Sequence, residues 1–128
     1  MDVRDAVEDD AGTLAEMTGS PSDVMRNLIH DRSVRVAETK GDIIGFVSFD
    51  AEHRTVYVTQ LSGETKVAKR LLDEPLRFAS KERMSVELLV PEDEAPILDA
   101  ADSVGFARVG SGPRFGTTPT VRFRKDPS

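Results

Sequence analysis

Residues 33–61 read SVRVAETKGDIIGFVSFDAEHRTVYVTQL, and three strands follow from that stretch. In residues 33–38, Val34 and Val36 alternate with polar neighbours, the period-two signature of a half-buried strand. Lys40-Gly41-Asp42 is a hairpin turn, and residues 43–49 form the second strand. A second turn is expected over residues 50–53, before a third strand over 54–61. There Val56 and Val58 share one face, while Thr55, Tyr57 and Thr59 share the other. Connections this short join antiparallel neighbours, so the three strands are expected to form a meander.

Towards the C-terminus, residues 65–83 carry Val67, Leu71, Leu72, Leu76, Phe78 and Ala79 along one side of an expected helix. Pro75 falls inside it and predicts a kink or a break, because proline lacks an N–H and its ring collides with the preceding turn. SVELLV at 85–90 reads as a buried strand. A helix over 93–104 follows, with Pro96 in its first turn and Gly105 as its stop. Residues 107–125 read as two strands around the loop GSGPRFGTTP.

Towards the N-terminus, residues 3–6 form a short strand. A helix over 10–18 has Asp9 or Asp10 as its N-cap, with Ala11, Leu14 and Met17 at helical spacing and Gly19 as its end. The next helix starts with Ser20 as cap and Pro21 in its first turn, and runs to Asp31. Val24, Met25, Leu28 and Ile29 are its expected buried face.

The chain has 128 residues, 38% of them hydrophobic, which suits one domain spanning 1–128 with one core. No apolar run is long enough to cross a bilayer. The acidic start, MDVRDAVEDD, does not read as a secretory leader. Cysteine is absent, which removes disulfides, thiolate nucleophiles and thiolate metal ligands and fits a cytoplasmic protein. Asp and Glu number 23 against 17 Lys and Arg, for a net charge of −6. Such a surface repels nucleic acid and anionic membranes, so neither is an expected partner. The acid-rich, lysine-poor balance resembles that of proteins from salt-loving organisms.

The order β-α-α-β-β-β-α-β-α-β-β resembles the Gcn5-related N-acetyltransferase (GNAT) superfamily along essentially the whole chain. Three stretches carry the resemblance. VRDAVEDDAGTLAEM is similar to the family's opening, through Val3, Arg4, Ala6, Asp10, Ala11 and Leu14. DIIGFVSFD is similar to its second meander strand, with Gly45 between apolar residues. VELLVPEDEAPILDAADSVGFARVG, ending in Gly105-Phe106, resembles its fourth motif. The resemblance implies an α+β fold, with a mixed, mostly antiparallel sheet of six or seven strands flanked by four helices. It also implies acetyl-coenzyme A as acyl donor and an amine of a small molecule or peptide as acceptor. In such folds the third meander strand and the later buried strand splay apart around the donor. Its pyrophosphate sits on the N-terminus of the following helix, where free N–H groups and the helix dipole favour an anion.

Carried over to this chain, the donor site comprises Val58, Gln60, Gly63, Glu64, Thr65, Lys66, Val67, Ala68, Lys69 and Arg70. The family's pyrophosphate loop runs Arg or Gln, two residues, Gly, one residue, then Gly or Ala. Gln60-Leu61-Ser62-Gly63-Glu64-Thr65 keeps the Gln and the first Gly. A shifted register starts at Gly63, puts Lys66 at the Gly position and ends on Ala68. Glu64 opposes a phosphate electrostatically, and Lys66, Lys69 and Arg70 offset it.

Many relatives carry a tyrosine in the last helix, five residues before the Phe of Gly-Phe, that protonates the leaving thiolate. Here that position is Ala101, and an Asn often seen early in the same helix is replaced by Glu94. Glu87 and Glu52 are both candidate bases for the acceptor amine, and their spacing does not choose between them. Tyr57, the only tyrosine, reads as a half-buried strand aromatic. His30 and His53 have no partner at metal-ligand spacing, so no metal site is expected. His30 instead suits the negative end of its helix. Gly110-Ser111-Gly112 lacks the Lys of a phosphate loop and reads as a strand connection bordering an acceptor site. Besides an N-acyltransferase, the residues allow a catalytically inactive binding or regulatory domain, or a structural subunit dimerising through its final strands.

Overall fold

The computed structural model describes residues 1–127. One sheet contains seven strands: β1 (Asp2–Asp5), β2 (Ser33–Thr39), β3 (Asp42–Glu52), β4 (Thr55–Ser62), β5 (Ser85–Pro91), β6 (Ala107–Ser111) and β7 (Thr120–Lys125). Their order across the sheet is β1-β2-β3-β4-β5-β7-β6. Every neighbouring pair is antiparallel except β4–β5, which is parallel. Four α-helices complete the α+β architecture expected from the sequence: α1 (Ala11–Thr18), α2 (Ser22–Asp31), α3 (Thr65–Glu82) and α4 (Ala95–Ser103). No helix among the described residues is long and apolar enough to cross a membrane.

The meander is closed by two tight hairpins. Lys40 and Gly41 both have positive φ, as do His53 and Arg54. Two left-handed residues in a two-residue loop match the right-handed twist of the flanking strands. The second turn is therefore shorter than residues 50–53, because pairing continues to Glu52↔Thr55. Alternation sends Ala37, Val47 and Phe49 to one face, against α3 and α4, and Val34, Val36 and Phe46 to the other, against α1 and α2. The α1–α2 pair covers the β1–β3 half of its face and leaves the β4–β5–β7 half uncovered.

Several local expectations are corrected. α3 runs unbroken through Pro75. Pro75, Leu71, Leu72 and Ala79 are buried on one stripe, and packing of that stripe against the sheet outweighs the lost N–H. Phe78 lies at the edge of the stripe and is 42% exposed, with its ring 6.1 Å between centroids from that of Phe49. In α2, Met25 is fully buried but Val24 is half exposed, because one residue step around the helix places them about 100° apart. Ser20 does not cap α2. Pro21 occupies that position, and the Ser20 N–H donates to Thr18 Oγ1 at 3.2 Å. Asp10 precedes α1 without capping it through its side chain. Its carboxylate accepts from the Val7 N–H at 2.8 Å and from both Arg4 Nη atoms at 2.9 and 3.1 Å. His30 stands in the last turn of α2, as expected, 3.5 Å from Glu8.

Candidate functional site

The parallel β4–β5 pair determines the site. Its register runs Thr55↔Ser85, Val56↔Val86, Tyr57↔Glu87 and Val58↔Leu88, and stops there. Both strands continue, but each pairs only outward: Gln60, Leu61 and Ser62 with β3, and Leu89, Val90 and Pro91 with β7. Beyond Val58 the two strands diverge, and the backbone edges that face each other have no partner strand. A cavity of about 350 Å³ occupies the opening, walled by Val58, Gln60, Leu61, Ser62, Leu88 and Pro91 from the strands. Thr18, Phe46, Glu94 and Ile97 close its sides.

β4 leads from this opening directly into α3. Gly63, at φ +141°, makes the bend, and a Cβ there would press on the Val67 side chain at 3.0 Å. The first helical bond is Ala68 N–H to Glu64 carbonyl, at 2.8 Å. The N–H groups of Thr65, Lys66 and Val67 therefore have no acceptor within the helix. Gly45 lets β3 pass close beneath this turn. A Cβ at position 45 would lie 2.5 Å from the Ser62 carbonyl and 2.7 Å from Val67 Cγ1.

The ten residues assigned to the donor site fall into distinct settings. Val58 and Gln60 wall the opening. Gly63, Glu64 and Thr65 form the turn into α3. The Val67 and Ala68 side chains are buried in the core, so only their backbone is available to a ligand. Lys66 and Lys69 are exposed, and neither ammonium is ion-paired among the described residues. Arg70 is engaged elsewhere, 3.5 Å from Glu74 and 4.0 Å from Asp73.

Ala101 is fully buried in the core between α3, α4 and the sheet, so its position offers no group to a ligand. Glu94, at the head of α4, is a wall of the opening that spacing did not reveal. Its carboxyl is raised above the usual carboxylate range, first by burial and then by the neighbouring charge of Asp93. The ionised form is thus the one the folded state penalises, and the stabilising effect of the proton disappears as pH rises through the elevated folded pKa. Glu94→Gln should therefore melt at a higher temperature than the wild type at pH about 7, and the gain should vanish near pH 4. Thermal melts at the two pH values check this.

The two candidate bases are separated by the fold. Glu52 ends β3 at the far end of β4 from the opening, with its carboxylate 3.3 Å from His53 Nε2. Glu87 stands beside Tyr57 on the uncovered sheet face, where a groove of about 450 Å³ runs along Tyr57, Thr59, Glu87, Leu89, Phe115 and Arg122. Val58, Thr59, Leu88, Leu89 and Phe115 border both this groove and the opening, so the two spaces adjoin. Phe115 comes from the β6–β7 loop, folded back by paired bonds with Thr118 at 2.9 and 3.0 Å. A larger cavity, about 840 Å³, lies at the other end of the sheet between the C-terminal ends of α3 and β7. Among the described residues, no strands splay there and no helix begins there.

No known protein-family profile matches the chain, and no curated protein matches it in sequence. Solved structures do match in shape. A ribosomal-protein-alanine N-acetyltransferase from Brucella melitensis superposes with a TM-score of 0.81 at 16% identity, over 98% of this chain and 99% of that one. The yncA protein of Salmonella typhimurium, solved with its cofactor acetyl-CoA, gives 0.82 at 15% identity over 100% and 94%. NAA60 of Arabidopsis thaliana, solved with a bisubstrate analogue, gives 0.78 at 17% over 99% and 98%. A seven-stranded sheet that opens beside one parallel pair, and near-complete superposition on these structures, lead to one conclusion: this chain has the fold of the Gcn5-related N-acetyltransferases.

Proposed function

We propose that this protein is an acetyl-coenzyme A-dependent N-acetyltransferase whose acceptor is an amine of a small molecule or peptide. The observation that supports it is the β4–β5 pairing that ends at Val58↔Leu88 and opens beside the head of α3. The groups around the opening suit the donor. Unpaired strand edges offer N–H and C=O groups to an amide-bearing arm. The free N–H groups of Thr65, Lys66 and Val67 suit a pyrophosphate, and Lys66 and Lys69 add positive charge. Glu64 is exposed at the N-cap and works against it. When bound, acetyl-coenzyme A supplies the acetyl group as an activated thioester. The protein's own part is positioning: it holds the acceptor amine in the groove at the mouth of the opening, where Glu87 can take its proton.

A calorimetric titration with coenzyme A, followed by an assay of acetyl transfer to pooled amines, tests the proposal. Saturable binding with transfer is expected. Binding without transfer would favour a catalytically inactive binding domain, a reading that Ala101 supports by supplying no proton donor at the family's tyrosine position. Absence of coenzyme A binding would overturn both. The double variant Lys66→Ala/Lys69→Ala should bind coenzyme A about three- to tenfold more weakly, because both cations are solvent-screened. That loss should shrink at high salt.

A further inference from the structure

The groove beside the opening has its own chemistry. Tyr57, Leu89 and Phe115 are 40%, 36% and 53% exposed, and all three line it. Two charged residues stand among them, set by the sheet register. Glu87 pairs across β5–β7 with Arg124, and Leu89 pairs with Arg122. Arg122 is therefore diagonal to Glu87 on the same face, about 7–8 Å away at Cα. Arg124 engages Glu87 through Oε2, and no hydrogen bond among the described residues uses Oε1. Arg122 differs from most arginines here. Arg4, Arg26, Arg32, Arg35, Arg70, Arg77, Arg108 and Arg124 all contact carboxylates. Arg122 contacts none among the described residues, although acids outnumber bases in the chain.

We infer that the groove receives a free amino acid with an apolar side chain, its ammonium on Glu87, its carboxylate on Arg122 and its side chain against Tyr57, Leu89 and Phe115. This inference deepens the proposed function by naming the acceptor class and rests on it for the role of the amine. A single anionic or cationic group would satisfy only one of the two charged residues. A long polar acceptor would leave the three apolar walls uncovered. Arg122 supplies a planar fork matched to a carboxylate.

The test reads binding, so that it does not depend on turnover. Isotope-labelled protein is titrated with L-phenylalanine, with phenylethylamine, which lacks the carboxylate, and with phenylpropionate, which lacks the amine. Amide shifts are followed. Phenylalanine should saturate with shifts at Tyr57, Leu89, Phe115 and Arg122, and each one-charge analogue should bind about tenfold or more weakly. Arg122→Gln should bring phenylalanine down to the affinity of phenylethylamine while leaving phenylethylamine unchanged. Glu87→Gln should bring phenylalanine down to the affinity of phenylpropionate. Equal binding of all three ligands, shifts confined to other surfaces, no saturation by phenylalanine, or an Arg122→Gln effect equal for all ligands would each overturn the inference. Coenzyme A titrated into the same sample reports separately on the donor site, so failure of the amino-acid site and failure of the acetyltransferase reading are told apart.

Discussion

Gly45→Ala should destabilise the protein by about 1–3 kcal/mol and weaken coenzyme A binding at the same time. The added methyl would lie 2.5 Å from the Ser62 carbonyl, 2.7 Å from Val67 Cγ1 and 3.2 Å from Leu71 Cδ1. None of these neighbours is a flexible tip. Ser62 is paired to Phe46 in the sheet, and Val67 and Leu71 are buried in the core. Relief requires moving β4, α3 or both, and the junction between them is the turn that presents the free amides. Urea unfolding should show a lower midpoint with unchanged slope, and calorimetry should show the weakened ligand binding. Gly12 is the matched control. It sits within α1 with nothing within 4 Å of an added Cβ. Gly12→Ala should therefore stabilise, by about 0.4–1 kcal/mol. The same chemical change at two glycines is expected to have opposite signs.

Asp10→Ala should cost about 2–3 kcal/mol. The Asp10 carboxylate accepts both Arg4 Nη atoms and the Val7 N–H, and Asp10 is only 8% exposed. Its loss leaves Arg4 with Glu38 at 3.2 Å and the Val7 N–H without its bond. The junction of β1 with α1 then loosens. Asp10 lies below the usual aspartate range, chiefly through the Arg4 hydrogen bond and, to a lesser degree, the Val7 N–H, against the opposing effect of burial. A depressed folded value means that the stabilisation is present above the unfolded pKa, about 3.9, and is lost as pH falls through the folded value. The gap in stability between wild type and Asp10→Asn should thus be full at neutral pH and close progressively below about pH 4. Urea titrations across that range measure it.

Much of the architecture was legible because its determinants are local. Lys40-Gly41 marks a turn by composition, Val34/Val36 and Val56/Val58 mark strand faces by alternation, and Gly105 marks a helix end. The misread positions share a cause. Val24 and Phe78 are apolar and sit beside a buried stripe, and whether such a residue is covered depends on a neighbouring element that the local pattern does not contain. Pro75 breaks a helix by local rules, yet packing of Leu71, Leu72 and Ala79 carries α3 through it. The site was half legible. Gly63 and the start of α3 follow from composition. Where β4 and β5 stop pairing depends on the register of strands separated by an 18-residue helix. Bulges at Ala37/Glu38 in the β2–β3 ladder and at Ser48/Phe49 in the β3–β4 ladder likewise leave no local mark in the sequence. Glu94 entered the site from α4 and Phe115 from a loop, and nothing in their own neighbourhoods announces it. The freedom of Arg122 from carboxylates among the described residues is visible only in three dimensions.

The half-zipped seam between β4 and β5 also divides the molecule's folding. Strands β1 to β4 are held by interlocking antiparallel ladders, and β5 to β7 form another such block. Across the seam only four residue positions pair, backed by the α3 connection. Amide protons bordering that line should exchange with solvent sooner than those at the centre of either block. Pulling on the two ends of the sheet should part it there first. A ligand lodged in the notch would then act as a rivet as well as a reactant, slowing exchange on both sides of it at once.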